Sequence, residues 1–328
     1  MSFNSQRTLS TASGAALNLY IEPAAASPRG IVQINHGLAE HAARYAPFAK
    51  FLSARGFHVY AQDHRGHGFT RAPDEPIGRF AERDGVDKVI ADVNAVHDLI
   101  ADEHPGLPVV IFGHSMGGMI ALNHVLRHSS RIHAAAVWNS NFQSGPLALA
   151  AKAILSWERF RLGSDVPSRL LPKLTFEAWG KAVPAHRTLF DWLSHDPAEV
   201  DAYIADPLCG WNGSISLWFD LLRLAGTGAD NANFAGVRRS LPFYLTGGEK
   251  DPATNGGESM SQLASRLNAM GFSEVTSTTY PGTRHESLNE INREQVMDDF
   301  AVWLDRICPR NPAATGADAT FSGPSYSA

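Results

Sequence analysis

One segment constrains the fold of this 328-residue chain more than any other. Val109-Val110-Ile111-Phe112 is a short apolar run typical of a buried strand, and from Met119 onward the apolar residues recur at helical spacing. The connection between them is short and contains Gly113-His114-Ser115-Met116-Gly117. A strand that turns directly into a helix through G-x-S-x-G places its serine at the tip of a tight turn. The segment therefore predicts a sheet covered by helices, with Ser115 as a nucleophile.

The same alternation of strand and helix patterns extends along most of the chain. Predicted strands cover residues 30–35, 58–61, 109–112, 134–138, 243–245 and 275–280, with helical patterns between them. This order is typical of a mostly parallel sheet with helices on both faces. Over residues 145–225 helical patterns continue but no convincing strand is visible. We therefore expect a core of residues 1–144 and 226–308, an inserted helical cap at 145–225, and a disordered tail at 309–328.

Composition excludes several classes of function. The net charge is −5 and the basic residues are scattered, so nucleic acid is not an expected partner. Two cysteines cannot form a disulfide framework, and the N-terminus lacks a signal-peptide pattern. No apolar run approaches the ~20 residues that span a bilayer. A cytoplasmic protein is expected, with peripheral contact to a membrane left open.

A serine nucleophile needs a histidine base and an acid, which follow it in this order along the chain. His285 is the histidine that fits, because it lies in a loop between the last predicted strand and the last helix. The acid should follow the preceding strand, where Glu249 and Asp251 both occur. We choose Asp251, since Pro252 predicts a turn that points its side chain back toward the histidine, and Glu249 is the competitor.

The negative oxygen formed during acyl transfer needs hydrogen-bond donors. The expected donors are the backbone N–H groups of Met116, directly after the nucleophile, and of Leu38, in the loop after the strand at 30–35. Four further residues are candidates for substrate binding: His36, His114, Trp138 and Cys209. For His36 and His114, support of the site's loops is the favoured role.

The sequence contains no motif typical of a metal site or a dinucleotide site. The chain has 14 histidines, yet it contains neither H-E-x-x-H nor a Cys/His ligand cluster. Gly113 to Gly118 lacks the G-x-G-x-x-G order of a dinucleotide site. We therefore expect no metal and no cofactor.

Five motifs occur in sequence over the chain. They are His36-Gly37-Leu38-Ala39-Glu40-His41 with Arg44-Tyr45, Asp63 to Gly68, Gly113 to Gly118, Gly247 to Asp251, and His285-Glu286. Together they resemble the monoacylglycerol lipase and lysophospholipase group of the α/β-hydrolases, which are serine aminopeptidase S33-like enzymes, and the resemblance spans roughly residues 15–307. Asp206 to Gly210 resembles the cap of bacterial members. The resemblance implies an α/β-hydrolase fold with a mostly parallel eight-stranded sheet and a helical cap. It also implies the triad and oxyanion donors already named.

Two residues depart from the pattern of that group. It often has glycine where this chain has Ala39, and a small residue where this chain has Leu38. A bulkier Leu38 is expected to narrow the acyl side of the site. This affects the choice of substrate and leaves the chemistry unchanged, because the donor is a backbone group.

The predicted function is hydrolysis of a carboxylic ester through an acyl-enzyme, with a monoacylglycerol or lysophospholipid as substrate. The alternatives are a small-molecule esterase or an amidase or aminopeptidase with the same triad, and a non-catalytic ligand-binding member of the fold. Leu147, Ala150, Ile154, Trp157 and Phe160 fall near one helical face. Such a stripe either packs within the cap or contacts micelles, membranes or an acyl chain.

Overall fold

A single mixed sheet organises the molecule. The computed structural model describes residues 2–73, 76–142 and 144–310, so the predicted tail lies outside the described residues from 311 onward. The eight strands are β1 Ser5–Ser10, β2 Ala16–Glu22, β3 Gly30–Asn35, β4 Phe57–Gln62, β5 Val109–His114, β6 Ala134–Trp138, β7 Phe243–Gly248 and β8 Val275–Tyr280. Their order is β1-β2-β4-β3-β5-β6-β7-β8.

Strands β3 to β8 are parallel, whereas β1 and β2 form an antiparallel hairpin at one edge. The predicted eight-stranded, mostly parallel sheet is confirmed. The central strands β3, β5 and β6 are buried at every position, which explains their continuous apolar runs. Strand β1 is almost entirely exposed and polar, so it carries no apolar pattern from which it could be predicted.

Helices cover both faces of this sheet. Five of them alternate with the strands: α1 Ala46–Ser53, α2 Gly85–Glu103, α3 Met116–His128, α9 Glu258–Ala269 and α10 Arg293–Ile307. Helices α1 and α10 contribute to the apolar core on one face, and α2, α3 and α9 to the core on the other. Because side chains alternate across a strand, β5 and β6 each supply both cores.

Five more helices lie between β6 and β7, where the insertion is predicted. They are α4 Pro146–Leu162, α5 Leu171–Leu174, α6 Phe176–Ala182, α7 Pro197–Ala205 and α8 Ile215–Ala229. In the described part of this segment the only β-pairing is an isolated bridge between Pro167 and Ser214. Helix α8 continues past the predicted boundary at residue 225 and ends at Ala229. It also packs on α3, where Asn123 Nδ2 donates to the carbonyl of Leu224 at 3.0 Å.

None of the helices within the described ranges combines the length and apolarity needed to cross a membrane.

Candidate active site

The turn between β5 and α3 presents Ser115 at the carboxyl edge of the sheet. Strand β5 ends at His114 and α3 begins at Met116, so the serine alone makes the turn, with φ 54° and ψ −120°. Its N–H donates to the carbonyl of Trp138 at 2.9 Å, and its own carbonyl accepts from Ser140 Oγ at 2.8 Å. These bonds to the segment after β6 hold a backbone conformation that a residue with a side chain rarely adopts.

The glycines around Ser115 are required by close approach of backbones. A β-carbon at Gly117 would collide with the carbonyl of Asn35, at the end of β3. A β-carbon at Gly113 would collide with the backbone of Gly117 across the turn. The first turn of α3 therefore packs directly on β3 and β5, which explains the small residues of this motif.

His285 and Asp251 meet beside this turn. Nδ1 of His285 lies 2.9 Å from Oδ2 of Asp251. Because a carboxylate only accepts hydrogen bonds, Nδ1 carries the proton and Nε2 of the neutral ring is free to act as a base. His285 and Ser115 line the same cavity. The structure thus brings together the three residues predicted as a triad.

Asp251 is fully buried and saturated with hydrogen bonds. Besides His285, its carboxylate accepts from Asn139 Nδ2 at 3.1 Å, Thr254 Oγ1 at 2.7 Å and the N–H of Ala253 at 2.9 Å. Burial by itself would raise the pKa of Asp251, but His285 and these donors outweigh it and hold the pKa below its usual value. The carboxylate therefore stays ionised and can orient the histidine.

Glu249, the competing acid, occupies a different position. Its carboxylate accepts from the N–H of Gly282 at 2.9 Å at the protein surface. Its side chain is about half exposed, at 52%, and pairs with Lys250. It does not contact His285, so the geometry favours Asp251.

The loop after β3 carries the first predicted oxyanion donor. His36 Nε2 accepts from the N–H of His64 at 2.9 Å, so its Nδ1 carries the proton and donates to the carbonyl of Gly37 at 2.8 Å. The N–H of Gly37 donates to Glu40 Oε1 at 2.6 Å. Among the described residues, the N–H of Leu38 has no hydrogen-bond partner, and Leu38 lines the cavity beside Ser115.

Met116, the second predicted donor, also lines the cavity. It is the first residue of α3, so its N–H has no partner within the helix. The partial positive charge at a helix N-terminus adds to the attraction for a negative oxygen. Both N–H groups are therefore placed where an oxyanion could be bound.

A buried ionic network underlies the site. Arg44 binds Glu286 through two hydrogen bonds of 2.7 Å and Glu40 through one of 2.6 Å. Burial would raise the pKa of Glu40, but Arg44 and His114 hold it well below its usual range. His114 Nε2 lies 2.9 Å from the carbonyl of His285. The network thus connects the loop after β3 to the loop that carries His285.

A cavity of about 290 Å³ opens above Ser115. Its wall is apolar over most of its extent and includes Leu38, Met119, Leu147, Leu171, Phe176, Trp179, Trp218, Leu221 and Leu222. The polar side chains Glu40, Tyr203 and Glu286 lie in the wall as well. Such a cavity suits a ligand that is largely apolar and has one polar part.

The four predicted substrate-binding residues separate into two groups. His114 lines the cavity, whereas His36, Trp138 and Cys209 do not. Trp138 is fully buried on β6 and packs edge-on against Phe112 and Phe300, with ring centroids 4.9 and 5.4 Å away. Its side chain points into a sheet-face core because of the alternation along β6, so its predicted role is wrong.

His36 and Cys209 are also placed behind the cavity wall. His36 holds the loop after β3, which is the supporting role expected for it. Cys209 is buried in a small apolar cluster with Tyr203, Trp192, Leu193 and Val183. Its predicted contact with substrate is not seen in the cavity wall.

One group of side chains has the composition of a metal site. Ligand atoms of His41, Asp206 and Cys209 lie within 4.8 Å of one another. His41 Nε2 and Asp206 Oδ2 are 2.8 Å apart, which is the distance of a direct hydrogen bond. Burial raises the pKa of the Cys209 thiol, and a metal requires the thiolate. The three residues are better described as a contact between the insertion and the loop after β3.

Two supporting residues were missed in the sequence. Asn139 follows β6 and joins Asp251 to Ser287, whose hydroxyl donates to Asn139 Oδ1 at 2.9 Å. Trp192 of the insertion packs on His285, with ring centroids 4.8 Å apart. Asn139 could have been considered from its position at a strand end, but no pattern singles out Trp192.

Comparison with known proteins agrees with this geometry. The family described as serine aminopeptidase, S33, matches residues 26–292. The chain is 29% identical over 283 residues to a monoacylglycerol lipase of Mycolicibacterium smegmatis, covering 84% of this chain and 88% of that protein. It is 26% identical over 226 residues to human monoglyceride lipase, covering 69% and 66%, respectively.

A carboxyl esterase from Bacillus coagulans has the same fold. It superimposes with a TM-score of 0.83 at 24% identity, covering 94% of this chain and 99% of that one. The resemblance inferred from the sequence motifs is confirmed.

Proposed function

The chain belongs to the serine aminopeptidase S33 family, and from this membership we propose that it is a serine hydrolase of lipid esters, of the monoacylglycerol lipase type. The observation that carries the proposal is the buried Asp251–His285 pair beside Ser115, at the base of a largely apolar cavity.

The mechanism follows from the positions of these groups. Ser115 Oγ attacks the acyl carbon while Nε2 of His285 takes its proton, and the N–H groups of Leu38 and Met116 bind the oxyanion. The protonated His285 then gives its proton to the leaving alcohol. A water molecule, deprotonated by His285, then attacks the acyl carbon. His285 returns that proton to Ser115 Oγ as the acyl–oxygen bond breaks and the carboxylic acid leaves. Asp251 stays ionised throughout and stabilises the imidazolium.

The cavity favours a substrate with a long acyl chain and a polar alcohol. Apolar side chains from α4, α6 and α8 surround most of the cavity and suit an acyl chain. Glu40 and Glu286 supply polar groups for a small alcohol such as glycerol. A monoacylglycerol combines both parts in one molecule, and a lysophospholipid has the same arrangement with a larger head group.

The family name raises the alternative of an aminopeptidase. Recognition of a peptide N-terminus needs a carboxylate that is free to pair with the α-ammonium group. The carboxylates at the cavity are Glu40 and Glu286, and both are already paired with Arg44. The site therefore favours esters over peptides.

The exposed side of α4 is proposed to contact micelles or membranes. Leu147, Leu149 and Phe160 are 77%, 67% and 91% exposed, and Trp157 is half exposed. Ile154 of the predicted stripe instead packs toward the core. Since Leu147 also lines the cavity, this apolar surface is continuous with the route to Ser115.

Labelling by a fluorophosphonate probe tests the chemistry. We expect the probe to modify Ser115 in the wild type, identified by mass spectrometry, and to leave Ser115→Ala unlabelled. A folded wild-type protein that resists the probe would contradict the proposal.

A series of p-nitrophenyl esters, followed by monoacylglycerols and an aminoacyl p-nitroanilide, tests the substrate class. kcat/KM should rise steeply from acetate toward long acyl chains, with little release from the anilide. A preference for acetate or for the anilide would favour one of the two alternative hydrolases.

A further inference from the structure

The insertion reaches the loop that carries the first oxyanion donor. The carbonyl oxygen of Ala39 accepts two hydrogen bonds, from Tyr203 Oη and from the N–H of Gly210, each 2.9 Å long. Tyr203 lies on α7 and Gly210 follows it, so both donors come from the segment between β6 and β7. Ala39 is separated from them by more than 160 residues of chain and is only one residue after Leu38.

Ala39 has a conformation that needs support. Its φ is 55°, in the left-handed region, where a β-carbon is unfavourable. A return to the ordinary helical or extended region would rotate the Ala39 carbonyl away from both donors. The same change would shift the Leu38–Ala39 peptide, through which Ala39 acts on the backbone of Leu38. The two hydrogen bonds to the Ala39 carbonyl therefore oppose this rotation.

Two further contacts of the loop act just before Ala39. His36 donates to the carbonyl of Gly37, which belongs to the same planar peptide as the Leu38 N–H, and the N–H of Gly37 donates to Glu40. Neither contact acts on the carbonyl of Ala39. The bonds from Tyr203 and Gly210 hold the peptide after Ala39, so Leu38 lies between a peptide held from within the loop and one held by the insertion.

We propose that Tyr203 is a positioning residue for the oxyanion hole, which holds the Leu38 N–H in place through the carbonyl of Ala39. This inference rests on the proposed function. The side chain of Tyr203 is buried against Phe190 and under Arg44, so the position of its hydroxyl is well determined. A third contact, from Asp206 to His41, fixes the same part of the insertion to the loop.

The segment 203–210 is docked on the loop after β3 by these three contacts, and the positioning role requires it to stay docked during catalysis.

Tyr203→Phe tests the proposal, because it removes the hydroxyl and keeps the ring. The matched control is Tyr60→Phe, whose hydroxyl bonds Glu103 in a separate apolar cluster. We expect kcat of Tyr203→Phe to fall about tenfold, less than the loss of a whole oxyanion donor, with KM within about twofold of wild type. Affinity for an alkyl trifluoromethyl ketone, which forms an oxyanion on Ser115, should fall by a similar factor. Tyr60→Phe should match the wild type in kcat, in KM and in affinity for the trifluoromethyl ketone.

A contact of Tyr203 with the substrate alcohol would give a different pattern. The positioning role predicts equal losses for a monoacylglycerol and for the methyl ester of the same acid. A loss confined to the glycerol ester would overturn it, as would an unchanged kcat. If the wild type fails to react with the fluorophosphonate probe, the proposed function itself fails. A reactive wild type with an unaffected Tyr203→Phe removes this inference alone.

Discussion

Three residues of the site hold backbone conformations that are rare for residues with side chains. Ala39, Ser115 and Asn139 have φ of 55°, 54° and 49°. Such a conformation costs on the order of 1–3 kcal/mol and persists only where neighbouring groups determine it. Each of the three occurs at the carboxyl edge of the parallel sheet, after β3, β5 and β6, respectively. The strain is therefore located where the reacting groups are positioned.

The two candidate acids differ in burial. Asp251 is fully buried and contacts His285, whereas Glu249 is exposed and holds a turn. Asp251→Asn would replace the carboxylate, which only accepts hydrogen bonds, with an amide, which can also donate one. An amide N–H facing Nδ1 of His285 would favour the tautomer with its proton on Nε2, which could not take the proton of Ser115.

We expect Asp251→Asn to lower kcat by about 10⁴-fold, as for the equivalent change in a serine protease. Glu249→Gln is the matched control and should stay within about twofold of wild type. Both values can be measured with a soluble p-nitrophenyl ester. A larger loss in Glu249→Gln than in Asp251→Asn would show that the acid has been assigned incorrectly.

At the scale of elements, the site depends on how closely α3 approaches β3. Gly117 allows the first turn of the helix to rest on the carbonyl of Asn35. That contact places the Met116 N–H and the loop after β3 on the same side of Ser115. The proposed oxyanion hole therefore depends on the position of this helix.

Gly117→Ala is expected to destabilise the protein by about 2 kcal/mol or more, because the obstacle is the backbone of a central strand. Gly226→Ala is the matched control in helix α8, where a β-carbon would meet nothing within 4 Å. It should increase stability by about 0.5–1 kcal/mol, the helix propensity difference. Denaturant unfolding of the three proteins measures both changes. Equal effects of the two substitutions would argue against the close approach.

At the scale of the whole molecule, helix α4 exposes several large apolar side chains on one surface. A monomeric soluble protein seldom exposes several large apolar side chains together unless they contact another surface. Lys152, Arg159 and Arg161 lie on the same helix, so anionic lipid is the expected partner surface.

Phe160→Asp is expected to weaken binding to anionic lipid vesicles by about tenfold. It replaces an aromatic ring that would be buried in the lipid by a negative charge that anionic lipid repels. Phe160 is 91% exposed and does not line the cavity, so hydrolysis of a short soluble ester should be unchanged. Val302→Asp, on α10 at 63% exposure, is the control. Co-sedimentation with vesicles measures binding, and a similar loss in both variants would indicate a general charge effect.

The sequence by itself determined the order of most elements and singled out the three side chains that we propose as the triad. The parallel strands are buried on both faces and therefore carry apolar runs that can be read locally. Ser115 is marked by glycines that a tight turn requires, and His285 follows from the order in which such residues occur. Asp251 was favoured over Glu249 on the turn signal of Pro252. These features depend on short stretches of chain, which is why they are visible without coordinates.

Tertiary structure decided which distant residues surround that site. The pairs Tyr203 with Ala39 and Asn139 with Asp251 are 164 and 112 positions apart. The position of Trp138 also needed the folded chain, since a strand pattern does not tell whether a side chain at a strand end points into a core or toward the cavity. The periodicity of apolar side chains indicates which face of a strand or helix is buried. Which other element packs against that face depends on the tertiary structure. Contacts between the insertion and the loops of the core therefore required the folded chain.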